Sequence, residues 1–224
     1  LAIDPKELYA HYVLAKLEFG LHHDPAEAKK HVQVILAAAD GYTARTMQAD
    51  LAEATKDKKA MRAALEKAAQ FDPMLLDPLI DLYKIAVEDK RDDDALVLLR
   101  KMVTMDAHER VPWNKLLEAL AKKSLWDEIL KNAEGAIYVD PYSPTVHAMI
   151  ARAYTMTGKL KEANDEIDAG LDAKPKGESE AILHVERARA AWKAKDVAKA
   201  KSELDVAAKL DPKSQDVTDL RSQL

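Results

Sequence analysis

The 224-residue chain contains no cysteine. Disulfides, thiolate metal ligands and a cysteine nucleophile are therefore excluded. This composition is compatible with cytoplasm and with a bacterial periplasm alike. Glycine (6) and proline (9) are too few for a turn-dense β architecture. Aromatic residues make up only 5%, with two Phe among them, so aliphatic side chains and alanine must supply the interior. Abundant alanine favours helices that cross closely. Positive charge is not in excess: the formal net charge of −5 argues against a general nucleic-acid binder, which needs a basic face. No apolar run is long enough to cross a bilayer.

Several kinds of chemistry are also missing. The glycines are single and are expected in turns or at helix ends, so no phosphate-cradling loop is expected. No nucleophile elbow is present. His108-Glu109 lacks the second histidine of a zincin helix. His22, His23 and His31 lie near each other in sequence, but no Asp or Glu pattern closes a coordination set around them. The run Asp92-Asp93-Asp94 fits a helix start, where carboxylates cap free amides and complement the dipole. No catalytic residue, cofactor or metal is expected.

What the chain does contain is a period. Asp-Pro occurs at Asp4-Pro5, Asp72-Pro73, Asp140-Pro141 and Asp211-Pro212, and Asp106-Ala107 and Lys174-Pro175 fall into the same series. Pro73, Ala107, Pro141 and Pro175 are evenly spaced by 34 residues, and Pro212 follows after 37. Proline cannot continue a helix, and the residue before it leaves the α region, so each mark ends one helix and leads into the next. Between marks, apolar residues recur at three and four, the period of an amphipathic helix. Breaks fall mid-unit at Lys90 to Asp94, Lys123-Ser124, Thr157-Gly158-Lys159 and Lys195-Asp196. Each unit is thus expected to be helix, short turn, helix. The three extra residues of the last unit are expected near Lys176-Gly177-Glu178. The opening Leu1-Ala2-Ile3-Asp4-Pro5 reads as a helix end followed by a stop, which suggests a piece of a longer protein or precursor.

These units resemble the tetratricopeptide repeat, whose 34-residue pattern runs Trp, Leu-Gly, Tyr, Ala, Phe, Ala, Pro. From about Ser143 to Pro175, His147 takes the Trp slot, Ile150-Ala151 the Leu-small pair and Tyr154 the Tyr slot. Gly158, Ala163, Ile167, Gly170 and Pro175 follow. One unit earlier, Trp113 sits in the Trp slot itself, with Leu117 in the small slot as a departure. His184 takes the Trp slot of the last full unit, and it and His147 are read as packing residues between helices. The match weakens upstream but extends over nearly the whole chain. The units run over about 6–40, 41–73, 74–107, 108–141, 142–175 and 176–212, with 213–224 starting a closing helix.

The resemblance implies an all-α fold, a right-handed α-solenoid of about six helix-turn-helix repeats. It implies a non-enzymatic scaffold that binds a partner peptide or helix along the first helices of the hairpins. The exposed slot two turns into each first helix holds Asp50, Lys84, Glu118, Arg152 and Arg189, with Asn114, Lys122, Met156, Trp192 and Lys193 beside it. The later part of this stripe is basic, so the expected partner is an acidic or carboxylate-ended protein segment, because the arginine fork pairs a carboxylate with two hydrogen bonds. Trp192 would add apolar or cation–π contact, or else pack against the closing helix. Two alternatives stay open: a repeat region belonging to a larger enzyme such as a peptidase or transferase, and a self-association module acting through the terminal repeats. No nucleic acid and no membrane span are expected.

Overall fold

A computed structural model describes residues 7–106 and 108–224. The marks at Asp4-Pro5 and Ala107 lie outside the described residues. Every regular element among the described residues is helical. The chain divides into two compact units, Leu1–Met105 and Asp106–Leu224. In the first, α1 (Leu8–Leu17) runs through a π-turn (Glu18–His22) and is followed by α2 (Pro25–Ala38), α3 (Tyr42–Ala54), α4 (Lys58–Phe71), α5 (Asp77–Glu88) and α6 (Asp92–Met105). In the second come α7 (Arg110–Lys122), α8 (Trp126–Val139), α9 (Pro144–Met156), α10 (Leu160–Asp172), α11 (Glu178–Lys193), α12 (Val197–Leu210) and α13 (Gln215–Arg221). No helix among the described residues is long and apolar enough to cross a membrane.

The turn inside each hairpin is the same device repeated. The residue closing the first helix adopts a left-handed conformation: Lys56, Lys90, Ser124, Gly158 and Lys195 all have positive φ. The next amide then reaches back five residues: Asp57 to Ala52, Arg91 to Ala86, Leu125 to Leu120, Lys159 to Tyr154 and Asp196 to Ala191. This is the Schellman closure, which satisfies carbonyls the helix end would orphan. Only Gly158 adopts the left-handed region without a Cβ clash. The following second helix is often capped at once. Asp57 accepts from the Ala60 amide at 2.9 Å and Asp196 from the Lys199 amide at 3.0 Å.

Between hairpins the aspartates act differently. Asp72, Asp106 and Asp211 each accept, through Oδ1, from the amide two residues on, at 3.1, 2.9 and 3.1 Å. Such turns compete with helix continuation, and where proline follows both effects stop the helix together. Lys174 has no such side chain, and there the chain leaves α10 through a left-handed residue, φ 54°. The three extra residues lengthen the helix that follows. They are taken up by α11, which has 16 residues where α9 has 13 and begins one turn early at Glu178.

First helices are buried more deeply as neighbours accumulate. Helix α9 packs against α7, α8, α10 and α11, and His147, Ile150, Ala151, Ala153 and Thr155 are among its buried residues. Leu116, Leu117 and Leu120 of α7 are wholly buried, so the large residue in the small slot is accommodated inside. Trp113 lies over Gly135 of α8, where a Cβ would sit 2.5 Å from the indole ring. Gly170 of α10 similarly admits Leu183 and the Cβ of His147. Glycine is there for close approach, at the small slots of second helices. In contrast, Ala15 is the sole buried residue of α1.

Candidate functional site

In the first unit, Lys84 stands exposed on α5 with its Nζ 2.8 Å from Asp81 Oδ1. It borders a cavity of about 340 Å³ whose lining includes Glu53, Lys56, Lys58, Asp81 and Glu88. Acids and bases alternate there, and Lys58 donates to Glu88 at 2.7 Å, so the lining has no dominant sign. Asp50 of α3 accepts from Lys16 of α1 at 2.6 Å.

In the second unit, Asn114 and Glu118 lie on α7, and Glu118 accepts from Lys115 at 2.8 Å. The Asn114 Oδ1 is enclosed and meets no donor among the described residues. Lys122 is exposed at the end of α7 and Lys193 at the end of α11, while Met156 ends α9 at 43% exposure. Trp192 is half-buried and packs on a cluster that includes Val185, Leu204, Val217 and Leu220, so much of its ring serves the join to α13.

Arg152 and Arg189 converge on one residue. Glu186 of α11 is 1% exposed. Its Oε1 accepts from Arg152 Nε at 2.8 Å and Nη2 at 2.5 Å, and its Oε2 accepts from Arg189 Nε at 3.2 Å. Arg152 Nη2 also reaches Asp216 Oδ2 of α13 at 3.4 Å. Burial works against the charge of Arg152. The Glu186 carboxylate outweighs it, Asp216 adds to it, and the guanidinium pKa is raised above its ordinary range. This carboxylate between two guanidiniums ties α9 to α11. Sequence slots placed the two arginines on one stripe and missed Glu186. The signal was present: Arg152 and Glu186 are 34 residues apart, as are Lys16 and Asp50.

The Trp-slot histidines also carry bonds that packing alone does not describe. His147 is 4% exposed. Its Nδ1 lies 2.5 Å from Glu166 Oε1 and its Nε2 is 3.0 Å from the Pro141 carbonyl oxygen. The hydrogen bond to Glu166 raises the His147 pKa. Burial opposes it, and the Pro141 carbonyl and the charge of Glu166 reinforce it. With both nitrogens facing oxygens, the doubly protonated ring satisfies both. His184 repeats the arrangement one hairpin on, with Nδ1 2.7 Å from Glu203 Oε2. In the first unit His31 meets His11, Nδ1 to Nδ1 at 2.8 Å. No group of three or more potential metal ligands occurs among the described residues.

No sequence-family model matches the chain, and no curated protein matches it significantly. Solved structures do. PilF of Pseudomonas aeruginosa superposes with a TM-score of 0.53 at 16% identity, covering 97% of each chain. YrrB, described as a TPR protein with an unusual peptide-binding site, gives a TM-score of 0.64 at 14% identity over 85% of this chain and 97% of its own. The C-terminal part of a TPR repeat-containing protein from Cytophaga hutchinsonii gives 0.63 at 14% identity, covering 96% of this chain and 88% of its own. At such identities the likeness concerns the fold.

Proposed function

The chain has the tetratricopeptide-repeat fold, an all-α helical repeat, and we propose that it serves as a non-enzymatic protein-interaction scaffold. Its working surface is the first-helix face of the second unit, and its partner is an acidic or carboxylate-ended peptide segment. One observation carries this reading. Glu186 holds Arg189 through Nε, while neither terminal nitrogen of that guanidinium bonds any described residue. The open edge of the fork suits a second carboxylate in the bidentate geometry. Lys193 and Lys122 on the same helices add positive charge, and Met156 offers a soft apolar contact. Arg152, by contrast, is occupied by Glu186 and Asp216, so its role in this reading is to hold Glu186 in place. The peptide-binding description of YrrB is consistent with such a use of the fold.

Fluorescence anisotropy with a labelled peptide tests it. An Asp/Glu-rich peptide with a free C-terminal carboxylate is compared with a Lys-rich peptide of equal length at near-physiological salt. The acidic peptide is expected to bind more tightly. Arg189→Lys combined with Lys193→Glu is expected to weaken it about tenfold, with the melting temperature nearly unchanged. Equal binding of the two peptides, or an unaltered affinity in the variant, would overturn the reading.

A further inference from the structure

The turns inside the hairpins of the second unit carry a feature that those of the first unit lack. Helices α8, α10 and α12 begin on Trp126, Leu160 and Val197. In the first unit the same position, two residues after the left-handed one, holds Pro25, a usual first helical residue, and the charged Lys58 and Asp92. Trp, Leu or Val there gives no capping bond and does not complement the helix dipole. The hairpins stack with α7, α9 and α11 side by side, so their turns fall along one edge of the unit. Neighbouring turns adjoin: a depression of about 640 Å³ is lined in part by Leu125 and Trp126 of one turn and by Met156 and Thr157 of the next. Trp126 and Leu160 are half-buried, whereas Leu125, Met156 and Val197 are exposed.

Positive charge collects around the last of these turns. Lys193, Lys195, Lys199 and Lys201 flank Val197, all four are exposed, and none of their ammonium groups bonds a described residue. Asp196 is the only acid among them, and its side chain accepts from the Lys199 amide at 3.0 Å. The acids further along α12 are occupied as well. Glu203 Oε2 lies 2.7 Å from His184 Nδ1, and Asp205 accepts from Arg221 at 2.6 Å. Four lysines against one aspartate leave the segment 193–201 at +3 in a chain of net charge −5. One hairpin earlier, Lys159 and Lys161 flank Leu160 in the same way, with Lys161 paired to Asp165 at 2.5 Å.

We propose that this edge of the second unit docks on an anionic lipid surface, with Val197 and its four lysines leading. The chain as a whole carries the wrong sign for such a surface, so the contact is confined to the edge where the charge is reversed. Ammonium groups on flexible stems suit a layer of mobile phosphates, whereas the planar fork of Arg189 suits a single carboxylate. Val197 stands exposed among the lysines, placed to enter the boundary between headgroups and acyl chains while the lysines stay in the headgroup layer. The turn is poorly equipped to read bases: it holds no arginine, and its aromatic neighbour Trp192 packs on the cluster that joins α13. The inference does not rest on the peptide reading above, with which it shares only Lys193 and Met156.

Co-sedimentation with vesicles of phosphatidylcholine, alone and with about 40% phosphatidylglycerol, tests this at about 0.1 M salt. Binding is expected to the mixed vesicles only, and about 0.5 M salt should release it. Lys195→Asn with Lys199→Glu brings the turn to zero net charge and should weaken binding about tenfold or more. Asparagine tolerates the left-handed position and glutamate suits the first turn of α12, so the melting temperature should stay in place. Both changes leave Arg189, Lys193 and Met156 untouched. Binding of the acidic peptide should therefore persist, which separates failure here from failure of the peptide reading. Val197→Ser keeps the charge and should weaken vesicle binding several-fold. Equal recovery with the two kinds of vesicle, a charge variant that binds as the wild type does, or a Val197→Ser chain that loses no binding would overturn the proposal. So would a DNA duplex bound more tightly than the vesicles at equal phosphate, because it would assign the lysines to nucleic acid.

Discussion

The two units solve the same problem with different interiors. Both place an ion pair between first helices at a separation of 34 residues: Lys16–Asp50 in the first, Arg152–Glu186 in the second. The first pair has side chains 48% and 36% exposed, and the second 29% and 2%. The buried polar and charged residues among those described, His147, Thr155 and Glu186, all belong to the second unit. Identical spacing therefore does not give identical worth. In water the Coulomb gain of a pair is small and the side-chain ordering cost offsets most of it. In the interior, an acid left without its partner, or a base without its acid, is the dominant cost. The first unit can lose such a pair cheaply, and the second has made its helix stack depend on one.

Removing Glu186 is expected to have the largest effect. Glu186→Ala leaves Arg189 without its carboxylate and Arg152 with Asp216 alone, at 3.4 Å. It should cost roughly 2–4 kcal/mol in denaturant unfolding, less than for a wholly buried pair because Arg152 keeps some solvent. Its counterpart in the first unit, Asp50→Ala, should cost about 0.2–1 kcal/mol. Glycine substitution sharpens the same contrast in packing. Gly135→Ala drives a methyl into the Trp113 ring and should cost about 1–3 kcal/mol. In the first unit Gly41 has nothing within 4 Å of its would-be Cβ, so Gly41→Ala should be much milder.

The hairpin turns allow a smaller exchange. Lys90 in the first unit and Gly158 in the second occupy the same left-handed position, with φ 57° and 81°. Lys90→Gly should raise stability by about 0.5–1 kcal/mol by relieving the Cβ strain, and Gly158→Lys should lower it by a similar amount. A reversed sign at either turn would mean that the Schellman closure is not the conformation in solution.

Smallest is the pH dependence of the second unit. The folded pKa of His147 is raised, so its protonated form contributes stability fully below the unfolded value. That contribution is lost as pH rises from about 6.5 through the folded pKa. The melting temperature should fall across that window, and Glu166→Gln should flatten the slope. A wild-type melting curve that does not respond to pH there would remove Glu166 as the partner of a charged imidazole.

Much of this fold was legible in the sequence because proline and the left-handed turn leave local marks. The 34-residue grid located the hairpins, and the mid-unit breaks fall where the Schellman turns are, since both depend on residues adjacent in the chain. The candidate site was less legible. A slot within a repeat says which stripe of a helix a side chain occupies, not what the next hairpin sets against it. The slots singled out Arg152 and Arg189 but not Glu186, one turn before Arg189, which binds both. The His147 slot suggested packing, while the hydrogen bond to Glu166 depends on a residue 19 positions away on the facing helix. The extra residues were placed near Lys176-Gly177-Glu178, but their spacing alone does not say that they form the added helical turn seen at the start of α11.

The contrast between the units is tested most directly by two double-mutant cycles on the same protein, Arg152/Glu186 and Lys16/Asp50, with each residue replaced by alanine. Urea unfolding of the wild type, single and double variants gives the two coupling energies. A coupling above about 1.5 kcal/mol for Arg152/Glu186 and below about 0.5 kcal/mol for Lys16/Asp50 is predicted. Equal couplings, or the larger value for Lys16/Asp50, would contradict the account.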